Sequence, residues 1–122
     1  MDLCVFIHCA SLKNVTLSAS LTNISDGVFS NCLALESVVI PDGVTTIGVS
    51  AFISCEALTQ VTIPASVTRI DELAFAYCYS LESVIYNGTM EQWAAITLDV
   101  RWKGSSDAAV VIHCTDGDVV LE

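Results

Sequence analysis

Positive charge is scarce in this chain. Four lysines and arginines stand against 14 aspartates and glutamates, a net charge of −10. A phosphate backbone is repelled by that balance, which argues against nucleic-acid binding. Long apolar runs are also missing: none approaches the roughly 18 residues needed to cross a bilayer. The 53% hydrophobic content beside only 15% charged residues therefore describes a buried core, far beyond what a disordered segment carries. Met1-Asp2-Leu3-Cys4-Val5 has neither a basic region nor a small-residue cleavage site and does not read as a signal peptide. No anchor follows at Val120-Leu121-Glu122. Such a chain is either cytoplasmic or the tail of something longer. At 122 residues it is long enough for one domain and one core.

What is present is a period. Phe6, Phe29, Phe52 and Phe75 are the chain's only phenylalanines, each 23 positions after the last. Cys9, Cys32, Cys55 and Cys78 keep that interval, as do Leu12, Leu35, Leu58 and Leu81, then Val15, Val38, Val61 and Val84. The two prolines, Pro41 and Pro64, keep it as well. In Leu35-x-x-Val38-x-Ile40 the last two apolar residues alternate, which predicts a strand, and Pro41 and Gly43 supply turn chemistry after it. Val44 and Ile47 return inward at a looser spacing, and Ala51-Phe52 closes the unit. A unit of this length lies in the range of leucine-rich repeats. A coil of this kind cannot bury its inner face alone, so coils stack and their strands form a parallel sheet with neighbours about 4.8 Å apart.

The pattern Ala51-Phe52-x-x-Cys55-x-x-Leu58-x-x-Val61-x-Ile63-Pro64-x-x-Val67-Thr68-x-Ile70 resembles the BspA-like leucine-rich repeat family of bacterial and protozoan surface proteins. Residues 6 to about 88 follow it. The outer units depart from it: Ser18 and Asn87 stand in place of proline, Tyr86 in place of a strand-end aliphatic residue, and Val28 in place of alanine. The resemblance implies a strand-dominated α/β solenoid, a right-handed coil with a parallel sheet on its concave face. It implies a non-enzymatic role at the cell surface or outside the cell, as an adhesion module for a protein partner such as a host or matrix protein. The alternative is a structural stack and cap whose binding residues lie upstream.

The expected organisation is repeats over 1–88 and a C-terminal cap over 89–122, both in one domain. Thr89 is an N-cap candidate before Met90-Glu91-Gln92-Trp93, with Gln92 at the capping-box position. That reads as a short helix in place of the next coil. Val110–Cys114, a Thr115–Asp118 turn and Val119–Leu121 read as a hairpin, with Trp93 and Trp102 supplying apolar area. By phase Met1 corresponds to Ile24, Ile47 and Ile70, so the chain begins mid-coil. Exposed Leu3, Val5 and Phe6 would follow, which predicts a missing upstream portion or end-to-end self-association through the uncapped N-terminal coil.

Chemistry-bearing residues give weaker signals than the repeat. The cysteine ladder suits buried thiols donating weakly to backbone carbonyls better than disulfides. Stacked side chains run parallel at the inter-strand spacing, whereas a disulfide needs Cβ atoms converging to about 3.8 Å. Cys4, His8 and Cys9, or His113 and Cys114, match no paired structural zinc spacing, and adjacent strand residues face opposite sides. The expectation is no metal and no cofactor. Glu36, Glu56, Asp71, Glu72 and Glu82 show no convergent pair and no glycine-rich phosphate loop occurs, so no catalytic residue is assigned. The remaining candidate surface is the outward side of the strands. Asn14, Ser37, Gln60 and Ser83 form one column, and Thr16, Val39, Thr62 and Ile85 the other. Both are uncharged and lack aromatic rings, which disfavours a sugar platform. Lys13, Glu36, Thr59 and Glu82 flank them with charge.

Overall fold

A computed structural model describes residues 13–15, 17, 19–99, 101–103 and 110–121. The expectations attached to Met1, Leu3, Cys4, Val5, Phe6, His8, Cys9, Leu12, Thr16 and Ser18 lie outside these residues. Strands β2 (Ser37–Val39), β4 (Gln60–Pro64) and β6 (Ser83–Asn87) pair in parallel, each residue with its counterpart one repeat on. Their inward residues Val38, Val61 and Val84 are buried, as are Leu35, Leu58 and Leu81 just before each strand. A hairpin of β8 (Val110–Cys114) and β9 (Gly117–Leu121) completes this sheet in the order β2-β4-β6-β8-β9, with β8 parallel to β6 and β9 antiparallel to β8.

The return segments are more regular than their sequence indicates. The two-residue strands β1 (Asn23–Ile24), β3 (Thr46–Ile47), β5 (Arg69–Ile70) and β7 (Thr97–Leu98) form a second parallel sheet. Ile24, Ile47 and Ile70 point from it into the core. At the corner near Phe52 the coils are joined by a third ladder. Ser50, Phe52 and Ser54 donate backbone N–H groups to the Glu72, Ala74 and Ala76 carbonyls at 3.0, 2.8 and 2.8 Å, and Gly27, Phe29 and Asn31 do the same one coil earlier. Donation from every second residue in this curved segment coincides with left-handed backbone at Gly27, Ser50 and Leu73 and again at Asn31, Ser54 and Tyr77. The non-glycine members accept a conformation costing on the order of 1–2 kcal/mol per residue, and the ladder between coils offsets it.

Phe29, Phe52 and Phe75 stack along the core axis, with centroids 5.1 and 5.0 Å apart and rings within 8° and 4° of parallel. Trp102 meets Phe75 edge-on at 5.9 Å, and Trp93 joins Trp102 to Tyr86. Helix α1 (Met90–Ala94) begins with a complete capping box, Thr89 accepting from the Gln92 N–H and Gln92 accepting from the Thr89 N–H. It does not replace a coil, as its sequence suggests, but interrupts one. Arg69 pairs with Thr97 and Ser83 with Val111, and each partner comes later in the chain than the repeat interval would place it. The residues of α1, inserted between the two sheets of that coil, account for the excess.

Candidate functional site

The sheet containing β2 presents its outward residues in straight rows because the parallel register never slips. Ser37, Gln60 and Ser83 are cross-strand neighbours, and so are Val39, Thr62 and Ile85. Asn14 extends the first row, its side-chain oxygen 3.5 Å from the Ser37 hydroxyl; Thr16 of the second row lies outside the described residues. The flanking column of Lys13, Glu36, Thr59 and Glu82 is held by backbone bonds of 2.9, 2.9 and 3.1 Å from each residue to the one before it. All four side chains are exposed.

Both rows run further than expected. The first continues through Val111 on β8 to Val120 on β9, and the second through His113 to Asp118. The rows are β-branched and hydroxylated in the middle, with exposed valines at opposite ends, Val39 at 63% and Val120 at 59%. One polar pair closes the second row, His113 Nδ1 lying 3.0 Å from Asp118 Oδ1. Across β2, β4 and β6 the two rows carry hydroxyl, amide and aliphatic side chains and no charge.

The groups that could do chemistry are engaged elsewhere. A shallow depression of about 320 Å³ on the second sheet holds Asp26, Arg69 and Asp71. There Arg69 Nε pairs with Asp71 at 2.9 Å, and Asp26 accepts the Val49 N–H at 2.8 Å. Among the described residues no group of three or more His, Cys, Asp or Glu side chains is placed to hold a metal ion. Burial, then the nearby Asp116 and Asp118 carboxylates, push the Cys114 thiol up, the reverse of what a nucleophilic cysteine needs.

A family model described as the BspA type leucine rich repeat region matches residues 2–96 in six copies. The chain belongs to this BspA-type leucine-rich repeat family. Among solved structures it is similar to a leucine rich cell surface protein from Faecalibacterium prausnitzii A2-165, at 38% identity and a TM-score of 0.74. The likeness covers 78% of this chain and 25% of that one, so the chain spans about a quarter of that protein's length. No curated protein matches.

The cysteines of the BspA-type repeat behave as packing groups. Cys32, Cys55 and Cys78 are buried thiols. The Cys55 thiol donates to the Phe29 carbonyl and the Cys78 thiol to the Phe52 carbonyl, each at 3.2 Å. The adjoining Cys78 thiol and burial hold Cys55 well above the usual thiol range. Cys55 should therefore resist alkylation near neutral pH in the folded chain and react once the chain is unfolded, as peptide mass mapping would read. The sign for stability follows. The unfolded chain loses this proton near the ordinary value of 9.0 while the folded chain keeps it, so the contribution is flat below that pH and destabilising above it. Thermal melts should fall progressively as pH rises past 9.0, and unchanged melts would contradict this.

Proposed function

We propose that this chain is a non-enzymatic protein-binding and adhesion module of a cell-surface or secreted leucine-rich repeat protein. It contacts its partner, a host or matrix protein, through the face carrying Asn14, Thr16, Ser37, Val39, Gln60, Thr62, Ser83 and Ile85. In this reading the stack is a right-handed coil of equal-length repeat units over 1–88, that face is concave, and 89–122 caps the C-terminal end within the same domain. The observation that carries the reading is the unbroken register of the two outward rows across β2, β4 and β6. Support also comes from the cell-surface description of the similar structure.

The rows make a sharp test. Gln60→Arg with Thr62→Glu adds charge at the centre of the face without touching the buried Val61 and Ile63. Binding of the full-length parent to immobilised host matrix protein should weaken at least tenfold, about 1.4 kcal/mol, while a control change at Thr45 on the other side leaves it intact. Binding unchanged by the double variant would favour the second reading, a structural stack whose binding residues lie upstream. That reading draws on the chain's span of only 25% of the similar cell-surface protein.

A further inference from the structure

β9 ends the five-stranded sheet, and among the described residues no strand covers its outer side. Exposed edges are ordinarily blunted with lysine, proline or a bulge, because unpaired N–H and C=O groups recruit other strands. β9 has none of these. It reads Gly117-Asp118-Val119-Val120-Leu121 and pairs with β8 residue for residue along its whole length. Its single charge, Asp118, is already engaged by His113. The β2 end differs, because the segment around Lys13 and Asn14 runs alongside it.

We infer that β9 pairs antiparallel with β9 of a second copy of this chain, about a two-fold axis through Val119. The two-residue Thr115–Asp116 loop requires Cys114 and Gly117 to be a hydrogen-bonded pair. Alternation along the hairpin then turns the backbone groups of Asp118 and Val120 outward. An axis through Val119 sets Asp118 against the second copy's Val120, and Val120 against its Asp118. Every outward N–H of β9 meets an outward C=O, and within the strand no charge faces its own kind. An axis through Asp118 would oppose that carboxylate to its copy, and one through Val120 would pair only Val119, Val120 and Leu121, where an axis through Val119 pairs the whole of Gly117–Leu121. Like charges directly opposite destabilise a strand pair, so charge excludes the Asp118 register and the length of overlap selects the Val119 register over the Val120 one. The paired sheets become continuous, and both outward rows run on across the axis. Association brings together two chains of net charge −10, so added salt, by screening their repulsion, strengthens it. The inference does not depend on whether the outward face binds another protein.

Light scattering of the intact chain from micromolar to millimolar concentration tests it. A dimer that tightens with sodium chloride is expected, and a monomer throughout overturns the inference. Val120→Pro deletes an outward N–H without touching a bond to β8 and should weaken dimerisation at least tenfold while circular dichroism and dilute melting temperature hold. A dimer that persists in folded V120P overturns it in favour of association elsewhere, as through the N-terminal coil. Val119→Cys gives a reading independent of proline. Opposed residues of a non-hydrogen-bonded pair lie about 4.5 Å apart at Cα, within disulfide reach. Mild oxidation should cross-link V119C through residue 119, and a V119C dimer that does not cross-link there overturns the register.

Discussion

Replacing Phe52 by alanine should destabilise the chain by about 3–5 kcal/mol, the range for emptying a buried aromatic site. The upper half of that range is expected. Phe52 is completely buried and stacks on Phe29 and Phe75 at once, and each aromatic pair adds about 0.5–1.5 kcal/mol beyond its buried area. Collapse into the hole is resisted because the backbone around Phe52 is fixed from both sides. Its N–H is bonded to the Ala74 carbonyl, and Ala51 accepts from Phe29. A solenoid coil meets only its neighbours, so damage in a central coil weakens the interface on either side. Denaturant unfolding followed by circular dichroism would measure the loss. Phe52→Leu separates the contributions: it keeps most of the volume and should lose only about 1–2 kcal/mol, the ring pairs among it. A loss below about 2 kcal/mol for Phe52→Ala would mean that the ring column is not where core burial is concentrated.

The same column shows what a sequence of this kind reveals. A fixed repeat interval puts identical side chains at identical heights on successive coils. Phe29, Phe52 and Phe75, the Cys32–Cys55–Cys78 thiols and the inward valines were therefore all readable before any coordinates, and so were the outward rows through Ser83 and Ile85. Beyond Ser83 the interval fails, because α1 lengthens the coil. Stepping on by one more interval misses Val111 and His113, which the structure sets beside Ser83 and Ile85. Their membership of the rows comes from pairing and not from periodicity. The second sheet was hidden for a different reason. A two-residue strand such as Thr46–Ile47 offers one inward and one outward side chain, too little for alternation to register. Nor could the left-handed corner be read. Among the six described residues that adopt it only Gly27 is a glycine; Ser50, Leu73, Asn31 and Ser54 are held there by hydrogen bonding between coils. Tertiary bonding overrides residue preference at those positions, and preference is all that a local reading sees.

Gly48 is a position where one methyl group should be felt across the stack. It is buried between the second sheet and the corner, and its N–H donates to the Ile24 carbonyl at 2.9 Å. A Cβ there would stand 2.4 Å from Asp26 Oδ1, 2.8 Å from the Ile24 carbonyl oxygen and 2.9 Å from the Asp26 nitrogen. The first contact belongs to a side chain that could swing away, at the cost of the Asp26 bond to the Val49 N–H. The other two are backbone of the preceding coil, and relieving them means moving that coil. Gly48→Ala should therefore destabilise by about 3 kcal/mol, the upper end for overpacking, although alanine otherwise favours a folded chain by reducing unfolded-state entropy. Neighbouring coils carry Ser25 and Asp71 at the same height, so the intolerance is not a property of the repeat position in general. It arises where the Ile24 carbonyl and the Asp26 nitrogen of the preceding coil close on Gly48, the Asp26 side chain adding to them. Adding Asp26→Ala to the Gly48→Ala chain tests that division. Removing the carboxylate should restore no more than about 1 kcal/mol, since the backbone contacts remain. Recovery to the stability of Asp26→Ala alone would mean that the side-chain contact was the whole obstacle and that the coils can slide apart to admit a methyl group.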